Sequence, residues 1–267
     1  MASPRLAAKV ETEEPSLRLA VLIDADNAQA SVIEGLLAEI ARFGEATVKR
    51  IYGDFTAPES LSWKKVLQRY AIKPVQQFAY TTGKNATDST LIIDAMDLLY
   101  TRKFDGFCLI TSDSDFTGLA MRLREEGLMV FGFGEKKTPE AFRNACHKFV
   151  FTEVLRHPSV KSVSLPSKVK IEKKSLQPRT TTEITALTHE FPKEFILAAL
   201  EQSTDDAGWS HLATFGSYLT KLQPDFDSRL YGYKKLSDLV KAKKDLFVIE
   251  ERKVPGMTQK VLYVRAK

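Results

Sequence analysis

An apolar run near the N-terminus ends abruptly in acidic and amide side chains. The run Leu19–Ile23 is followed by Asp24, Asp26 and Asn27. Aliphatic runs of this length are typical of strands buried on both faces of a parallel sheet. In open α/β sheets, ligands bind beyond the carboxyl ends of the strands, so these polar residues occupy the position of a binding site. A simpler interpretation is that a single Asp here only caps a helix or closes a loop.

The same pattern recurs later in the chain. The run from Gly106 to Thr111 is followed by Ser112, Asp113 and Asp115, and then by a helical pattern. Asp88 opens a further helix after a polar loop at residues 81–87. We predict that Asp24, Asp88, Asp113 and Asp115 converge on one edge of the sheet. Asp88 alone could equally be a favourable charge in the first turn of a helix.

Four clustered carboxylates would repel one another, and one or more would stay protonated at neutral pH unless a cation lay among them. Oxygen ligands without nearby thiolate or imidazole favour Mg²⁺ or Mn²⁺ over Zn²⁺. Such an ion could activate water and neutralise charge on a phosphodiester under attack. We therefore predict that the four carboxylates are both metal ligands and catalytic groups. Asn27, Lys84 and Ser112 are predicted to contact the nucleic acid, Lys84 as a phosphate-positioning cation.

Strands and helices alternate over the first part of the sequence, which predicts a parallel sheet with right-handed crossovers. The predicted strands are Leu19–Ile23 and residues 46–52, 73–78, 106–111, 128–132 and 149–151, and the predicted helices are residues 30–43, 61–70, 88–99, 116–126 and 139–145. This first domain is predicted to span residues 17–156.

Residues 157–190 contain prolines, serines, threonines and lysines without a sustained apolar period, so a flexible basic linker is predicted there. Residues 191–267 differ in character. Helices are predicted at 192–202, 209–222 and 235–243, followed by strands at 246–250 and 259–264. Three helices and a terminal β-hairpin are the outline of a small winged-helix domain.

The net charge of +5 is unevenly distributed. Residues 17–156 contain 18 basic and 18 acidic residues, residues 157–190 contain 6 and 3, and residues 191–267 contain 13 and 10. The excess positive charge beyond residue 156 suits a polyanionic partner, although such an excess also occurs on ordinary solvated surfaces.

Cys108 and Cys146 lie in apolar or helical stretches without CxxC spacing, and we predict that both are buried reduced thiols. No run approaches the roughly 20 apolar residues of a membrane span. A soluble, cytoplasmic protein without membrane association is expected.

Three segments together resemble the motifs of NYN domains of the LabA-like kind, within the PIN-like nuclease group. They are Ile23–Asn27, Gly83–Asp94 and Thr111–Phe116. The resemblance spans roughly residues 17–156 and implies a PIN-like Rossmannoid sheet flanked by helices. It also implies metal-dependent ribonuclease chemistry at the four carboxylates named above, with Asn27 as an accessory. Asp26, Asp54 and Asp94 match the family pattern less securely.

The segments Gly208–Leu219 and Pro224–Leu236 are similar to the OST-HTH or LOTUS domain. This resemblance implies a winged helix that binds RNA or, in some members, docks a protein partner. Tyr231, Tyr233, Lys234 and Lys235 supply the aromatic and basic groups expected of an RNA-binding surface. Alternatively, the tyrosines fill the small core and the lysines only solvate it.

The sequence thus predicts an Mg²⁺- or Mn²⁺-dependent endoribonuclease with a C-terminal domain that binds single-stranded or structured RNA. One alternative is a non-catalytic RNA-binding or scaffold protein that retains the nuclease fold. Another is a small-molecule phosphatase on a similar α/β sheet, which the basic second domain disfavours.

Overall fold

The computed structural model describes residues 16–56, 61–78, 86–156, 191–253 and 260–267. By packing, the chain divides into two compact units, Met1–Cys146 and His147–Lys267. The strands are β1 (Arg18–Asp24), β2 (Glu45–Gly53), β3 (Lys73–Gln76), β4 (Gly106–Ile110), β5 (Met129–Gly134), β6 (Lys148–Phe151), β7 (Ser210–His211), β8 (Phe247–Lys253) and β9 (Lys260–Ala266). The α-helices are α1 (Ile33–Ile40), α2 (Leu61–Tyr70), α3 (Ala86–Tyr100), α4 (Thr117–Glu125), α5 (Glu140–Ala145), α6 (Lys193–Gln202), α7 (Leu212–Leu222) and α8 (Leu236–Ala242).

Six strands form one sheet in the order β3-β2-β1-β4-β5-β6. The pairs β1/β2, β1/β4, β2/β3 and β4/β5 are parallel. After β1 the chain builds one half of the sheet, and it then returns to the other side of β1 to begin β4. This order places the topological switch point between β1 and β4, where open α/β sheets bind their ligands. The predicted α/β fold class is confirmed.

Strand β1 is the centre of this sheet. Every residue from Leu19 to Asp24 is fully buried, since β2 and β4 flank the strand on both sides and α3 packs against it. The aliphatic side chains provide the apolar surface that such a position requires. The chain therefore leaves the core at the switch point, immediately after the buried carboxylate of Asp24.

Two predicted helices begin with a tighter turn than expected. Residues Ala30–Val32 and Ser114–Phe116 are 3-10 turns that precede α1 and α4. At the second of these, the Asp113 carboxylate accepts a hydrogen bond from the N–H of Asp115, which fixes the helix start. The predictions located both helices, but the first merged its 3-10 turn with α1, and the second began only at Phe116, the last residue of its 3-10 turn.

The prediction of a helix beginning at Trp209 is wrong for its first three residues. Ser210 and His211 form β7, whose residues pair with Val264 and Tyr263 of β9, and α7 begins only at Leu212. Backbone groups of residues 210 and 211 are used by the three-stranded sheet β7-β9-β8 and are not available to a helix. This extra strand completes the predicted winged-helix outline.

The core of the second unit lies between its helices and this sheet. Its buried members are Ile196, Ala199, Leu200, Phe215, Leu219, Phe226, Leu239, Val240, Leu246, Phe247 and Val264. Each helix therefore supplies one apolar face, as its sequence period predicts.

Both cysteines are buried free thiols, as predicted. Burial raises the pKa of the Cys146 thiol to about 12, so it stays protonated at neutral pH. In the part of the chain that the structure describes, no helix is long and apolar enough to cross a membrane.

Gly53 at the end of β2 allows close approach of the turn that follows β1. A Cβ at this position would lie 2.8 Å from the Cβ of Ala25, the residue between Asp24 and Asp26. We expect Gly53→Ala to destabilise the protein by about 1–3 kcal/mol, the usual range for overpacking. Gly118→Ala is the matched control, because a Cβ there meets nothing within 4 Å and alanine favours the helix. Urea unfolding of both variants measures the difference, and equal stabilities would contradict the assigned contact.

Asp227 gives the second unit a pH-dependent stabilising interaction. Burial would raise its pKa, but hydrogen bonds from the Arg229 guanidinium and backbone outweigh that effect, so the pKa lies below the usual range. The stabilisation is full above the unfolded-state pKa of about 3.9 and is lost as the pH falls through the folded-state pKa. Asp227→Asn should therefore cost about 1–3 kcal/mol at neutral pH and progressively less as the pH falls below about 3.9. Urea unfolding at neutral and at acid pH, followed by Trp209 emission in a Trp63→Phe background, tests this, and an equal cost at both pH values would be inconsistent with it.

Candidate active site at the carboxyl edge of the sheet

Asp24 lies at the buried end of β1 and is fully inaccessible to solvent. Its carboxylate accepts hydrogen bonds from the Asn27 amide at 2.8 Å, the Thr111 hydroxyl at 2.8 Å and the N–H of Asp26 at 3.0 Å. Burial raises the pKa of Asp24, and these three donors oppose the shift. The carboxylate is therefore held in one orientation by its own turn and by the neighbouring strand.

Thr111 connects the ends of β1 and β4. Its hydroxyl donates to Asp24 and accepts from the N–H of Asp113 at 3.1 Å. Sequence reasoning gave Thr111 no role. The strand register supplies the missing signal, because Ile23 pairs with Ile110 and the residues that follow each lie side by side. The sequence alone contains no information on that register.

Three other carboxylates come together beside this turn. One oxygen from each of Asp88, Asp113 and Asp115 lies within 4.8 Å of the other two. Asp88 belongs to the first turn of α3, whereas Asp113 and Asp115 follow β4. The predicted convergence of these three residues is observed, and we call them the three-carboxylate cluster.

Burial and the mutual repulsion of the clustered carboxylates change the pKa of Asp88. Partial burial, together with the negative charges of Asp24, Asp113, Asp115 and Asp26, raises the pKa of Asp88 to about 6. Without a positive partner, part of the cluster would therefore take up a proton at mildly acidic pH. A cation at this position would remove that penalty.

The donor set fits a hard divalent cation. Among the described residues, the cluster contains carboxylate oxygens only, without histidine or cysteine. Mg²⁺ and Mn²⁺ prefer such ligands, whereas structural zinc sites use nitrogen and sulfur. Asp24 lies outside the cluster, with three donors already bound to its oxygens. It contributes negative charge and a fixed turn to the site.

The less secure acidic residues have separate surroundings. Asp94 forms an ion pair with Arg50 and accepts a hydrogen bond from the Tyr52 hydroxyl, both on β2. Asp54 accepts hydrogen bonds from Thr56 and Gln76. These two carboxylates therefore have partners of their own, and Asp94, six residues after Asp88 in α3, lies on a different face of that helix.

The predicted phosphate-binding residues lie in varied environments. The Asn27 amide donates to Asp24, and the half-buried side chain lies at the site. The Ser112 hydroxyl accepts from the N–H of Glu135 at 2.8 Å and is buried. Lys84 lies outside the described residues, and its role stays a prediction.

In the second unit, the predicted RNA-binding residues fall into two groups. Tyr231 and Tyr233 are partly buried against the core, and the Tyr231 ring meets Phe191 edge-on at a centroid distance of 5.6 Å. Lys234 and Lys235 are exposed. The tyrosines thus contribute to packing, and the lysines remain accessible to a ligand.

A family model describing the NYN domain matches residues 18–155. The chain belongs to the NYN domain family. A second model, describing the OST-HTH/LOTUS domain, matches residues 186–257. Both resemblances noted in the sequence are confirmed, and the protein joins a nuclease-like domain to an RNA-binding type of domain.

Two solved structures are similar to parts of the chain. The solution NMR structure of an uncharacterized protein from Nitrosomonas europaea is 65% identical, with coverage of 36% of this chain and 92% of that chain and a TM-score of 0.31. The crystal structure of a protein of unknown function from Vibrio parahaemolyticus is 16% identical. The match covers 52% of this chain and 94% of that chain, with a TM-score of 0.44. The comparison with curated proteins found no match.

The cluster should be a site of electrostatic repulsion in the absence of metal. We expect Asp113→Asn to raise the melting temperature in EDTA by roughly 2–4 °C, the shift that about 1 kcal/mol produces in domains of this size. Asparagine also preserves the helix cap. The stabilisation of the wild-type protein by millimolar MnCl₂ or MgCl₂ should be lost in the variant. Thermal unfolding measures both effects.

Asp97→Asn is the control for this experiment, because Asp97 is an exposed carboxylate elsewhere on α3. It should leave the stabilisation by metal intact. A metal-induced shift that survives in Asp113→Asn would place the cation elsewhere.

Proposed function

We propose that the protein is a metal-dependent endoribonuclease whose C-terminal OST-HTH/LOTUS domain binds the RNA. The observation that supports the catalytic part is the three-carboxylate cluster at the switch point of an NYN fold, with the pKa of Asp88 raised to about 6. Carboxylates in close array are costly, and metal binding is the function that gives such an array a favourable partner.

In this proposal Asp88, Asp113 and Asp115 hold the cation, which is Mg²⁺ or Mn²⁺. When bound, such an ion supplies an activated water and neutralises negative charge on the phosphodiester as it reacts. Asp24 adds negative charge behind the cluster and fixes the turn from which Asn27 projects. The Thr111 hydroxyl bonds both the Asp24 carboxylate and the Asp113 N–H, and so fixes the position of one residue relative to the other.

The substrate phosphate would lie on the open side of the cluster. The N–H groups at the start of the helix after Asp115 offer donors for phosphate oxygens. Lys84, which precedes α3 in the sequence, is proposed to add a positive charge. Because Lys84 is not a proton-transfer group in this scheme, it affects binding of the RNA and not the chemical step.

A polymer substrate fits the second domain better than a small phosphate ester does. The OST-HTH/LOTUS match and the excess of basic residues beyond residue 156 both favour RNA. RNA held by one domain has a high effective concentration at the other, so binding and cleavage support each other. A non-catalytic RNA-binding protein is the alternative outcome.

The decisive test is cleavage of labelled RNAs by the full chain in Mg²⁺, Mn²⁺ or EDTA. We expect cleavage with either metal, none in EDTA, and a loss of at least about 10²-fold in Asp113→Asn, since even outer-shell changes cost 10- to 100-fold. Asp97→Asn should cleave at the wild-type rate. RNA binding without metal-dependent cleavage would favour the scaffold alternative, and a wild-type rate in Asp113→Asn would exclude this site.

A further inference from the structure

The sheet of the second unit has one face packed on the core and one face turned to solvent. On the core side, Ser210 and Val264 are 1% and 0% exposed. Side chains alternate along a strand, so their neighbours point the other way. His211 pairs with Tyr263, and Tyr263 pairs with Glu250 on the far side, which puts all three on the outer face.

Aromatic and guanidinium groups contact one another on this outer face. The Arg252 guanidinium lies 4.4 Å from the Tyr263 ring centroid and 4.8 Å from that of Trp209. The Arg265 guanidinium also lies 4.8 Å from the Trp209 ring. His211 meets Tyr263 edge-on at 5.6 Å. We call Trp209, His211, Arg252, Tyr263 and Arg265 the outer-face cluster.

These aromatic rings are separate from the hydrophobic core. Tyr231 and Tyr233 pack against the buried core cluster, whereas Trp209 and Tyr263 belong neither to that cluster nor to the side chains packed against it. Core packing therefore accounts for the first two rings and leaves the other two without that role. Large rings beside cations on a solvent-facing sheet are the usual composition of a surface on which nucleobases stack.

Trp209 is held in place by the loop before it. The Asp205 carboxylate accepts from the N–H groups of Ala207 and Trp209, and the N–H of Asp205 donates to the Trp209 carbonyl at 2.8 Å. Gly208 closes the loop with a φ of +74°, a conformation that glycine adopts without strain. These hydrogen bonds fix the backbone from which the Trp209 ring projects, so less entropy is lost when a ligand stacks on the ring.

Arg252 is also fixed, by an ion pair with Glu250 at 2.9 Å. This pair leaves Arg265 as the cation on the face for which the structure shows no ion pair within 4 Å among the described residues. Each of the two guanidinium groups lies beside an aromatic ring. Alternating rings and cations match the alternating bases and phosphates of a single nucleic acid strand.

We propose that the outer-face cluster binds single-stranded RNA by stacking its bases on Trp209 and Tyr263, with Arg265 beside the phosphates. This inference rests on the proposed function for the choice of RNA as ligand, and it locates the binding surface on the sheet. The exposed Lys234 and Lys235 then contribute general electrostatic attraction only.

Stacking has a direct optical signature in this chain, which contains two tryptophans. Trp63 is 5% exposed in the first unit, so Trp63→Phe leaves Trp209 as the reporter. In EDTA, a single-stranded RNA of about 12 nucleotides should quench Trp209 emission on titration. The same RNA as a duplex, or an abasic strand of equal length, should quench far less. Equal quenching by the abasic strand would overturn stacking.

Affinity measurements on the full chain provide the second test, by anisotropy of labelled RNA in EDTA. Trp209→Leu and Tyr263→Leu should each weaken binding roughly 5- to 150-fold, the range for one stacked base, with the salt dependence unchanged. Arg265→Gln should weaken binding and lower the slope of log affinity against log salt by about 0.7. Lys221→Gln is the control, since it removes an exposed charge at the end of α7, away from this face.

The outcomes separate this inference from the proposed function. If the variants retain the wild-type melting temperature and bind RNA within twofold of the control, the outer-face cluster is not the binding surface, while metal-dependent cleavage can still stand. If the leucine variants melt early, the quenching experiment on Trp63→Phe decides alone. Failure of the wild-type chain to bind any RNA would overturn both proposals.

Discussion

Repulsion between carboxylates at the switch point is the constraint around which the first domain is built. Two half-buried carboxylates such as Asp88 and Asp113, within 4.8 Å of each other, repel by about 1 to 3.5 kcal/mol at effective dielectrics between about 80 and 20. That is a large share of the 5–15 kcal/mol by which a typical domain is stable. The fold keeps these groups together only because β1, β4 and α3 are fixed by burial elsewhere.

A second constraint, the cost of burying a charged group, explains the hydrogen bonds around Asp24. A buried carboxylate needs donors, and Asn27, Thr111 and the Asp26 backbone supply three. These donors stabilise its charged form, although burial still raises its pKa. Local hydrogen bonding thus meets the desolvation cost of Asp24, whereas the three-carboxylate cluster nearer to solvent is left for a cation. Asp24 therefore has a structural role, whereas the adjacent three-carboxylate cluster has the proposed chemical role.

In the second domain, the relevant division is between the two faces of a small sheet. Residues such as Val264 and Phe247 complete a hydrophobic core, and the helices cover that side. Trp209 and Tyr263 lie on the other side among arginines. A domain of this size has little apolar surface to spare, so rings outside the core are better explained by a ligand than by stability.

The sequence by itself determined the α/β class, the order of the elements, the second winged-helix unit and the acidic residues that meet. Those features depend on local period and on where apolar runs stop, which are properties of neighbouring residues. Only the tertiary structure decided that Thr111 bridges Asp24 and Asp113, that Ser210 and His211 form a strand, and that Trp209 lies beside Arg252. Strand register and cross-strand pairing create these contacts between residues far apart in the chain, so no local pattern contains them.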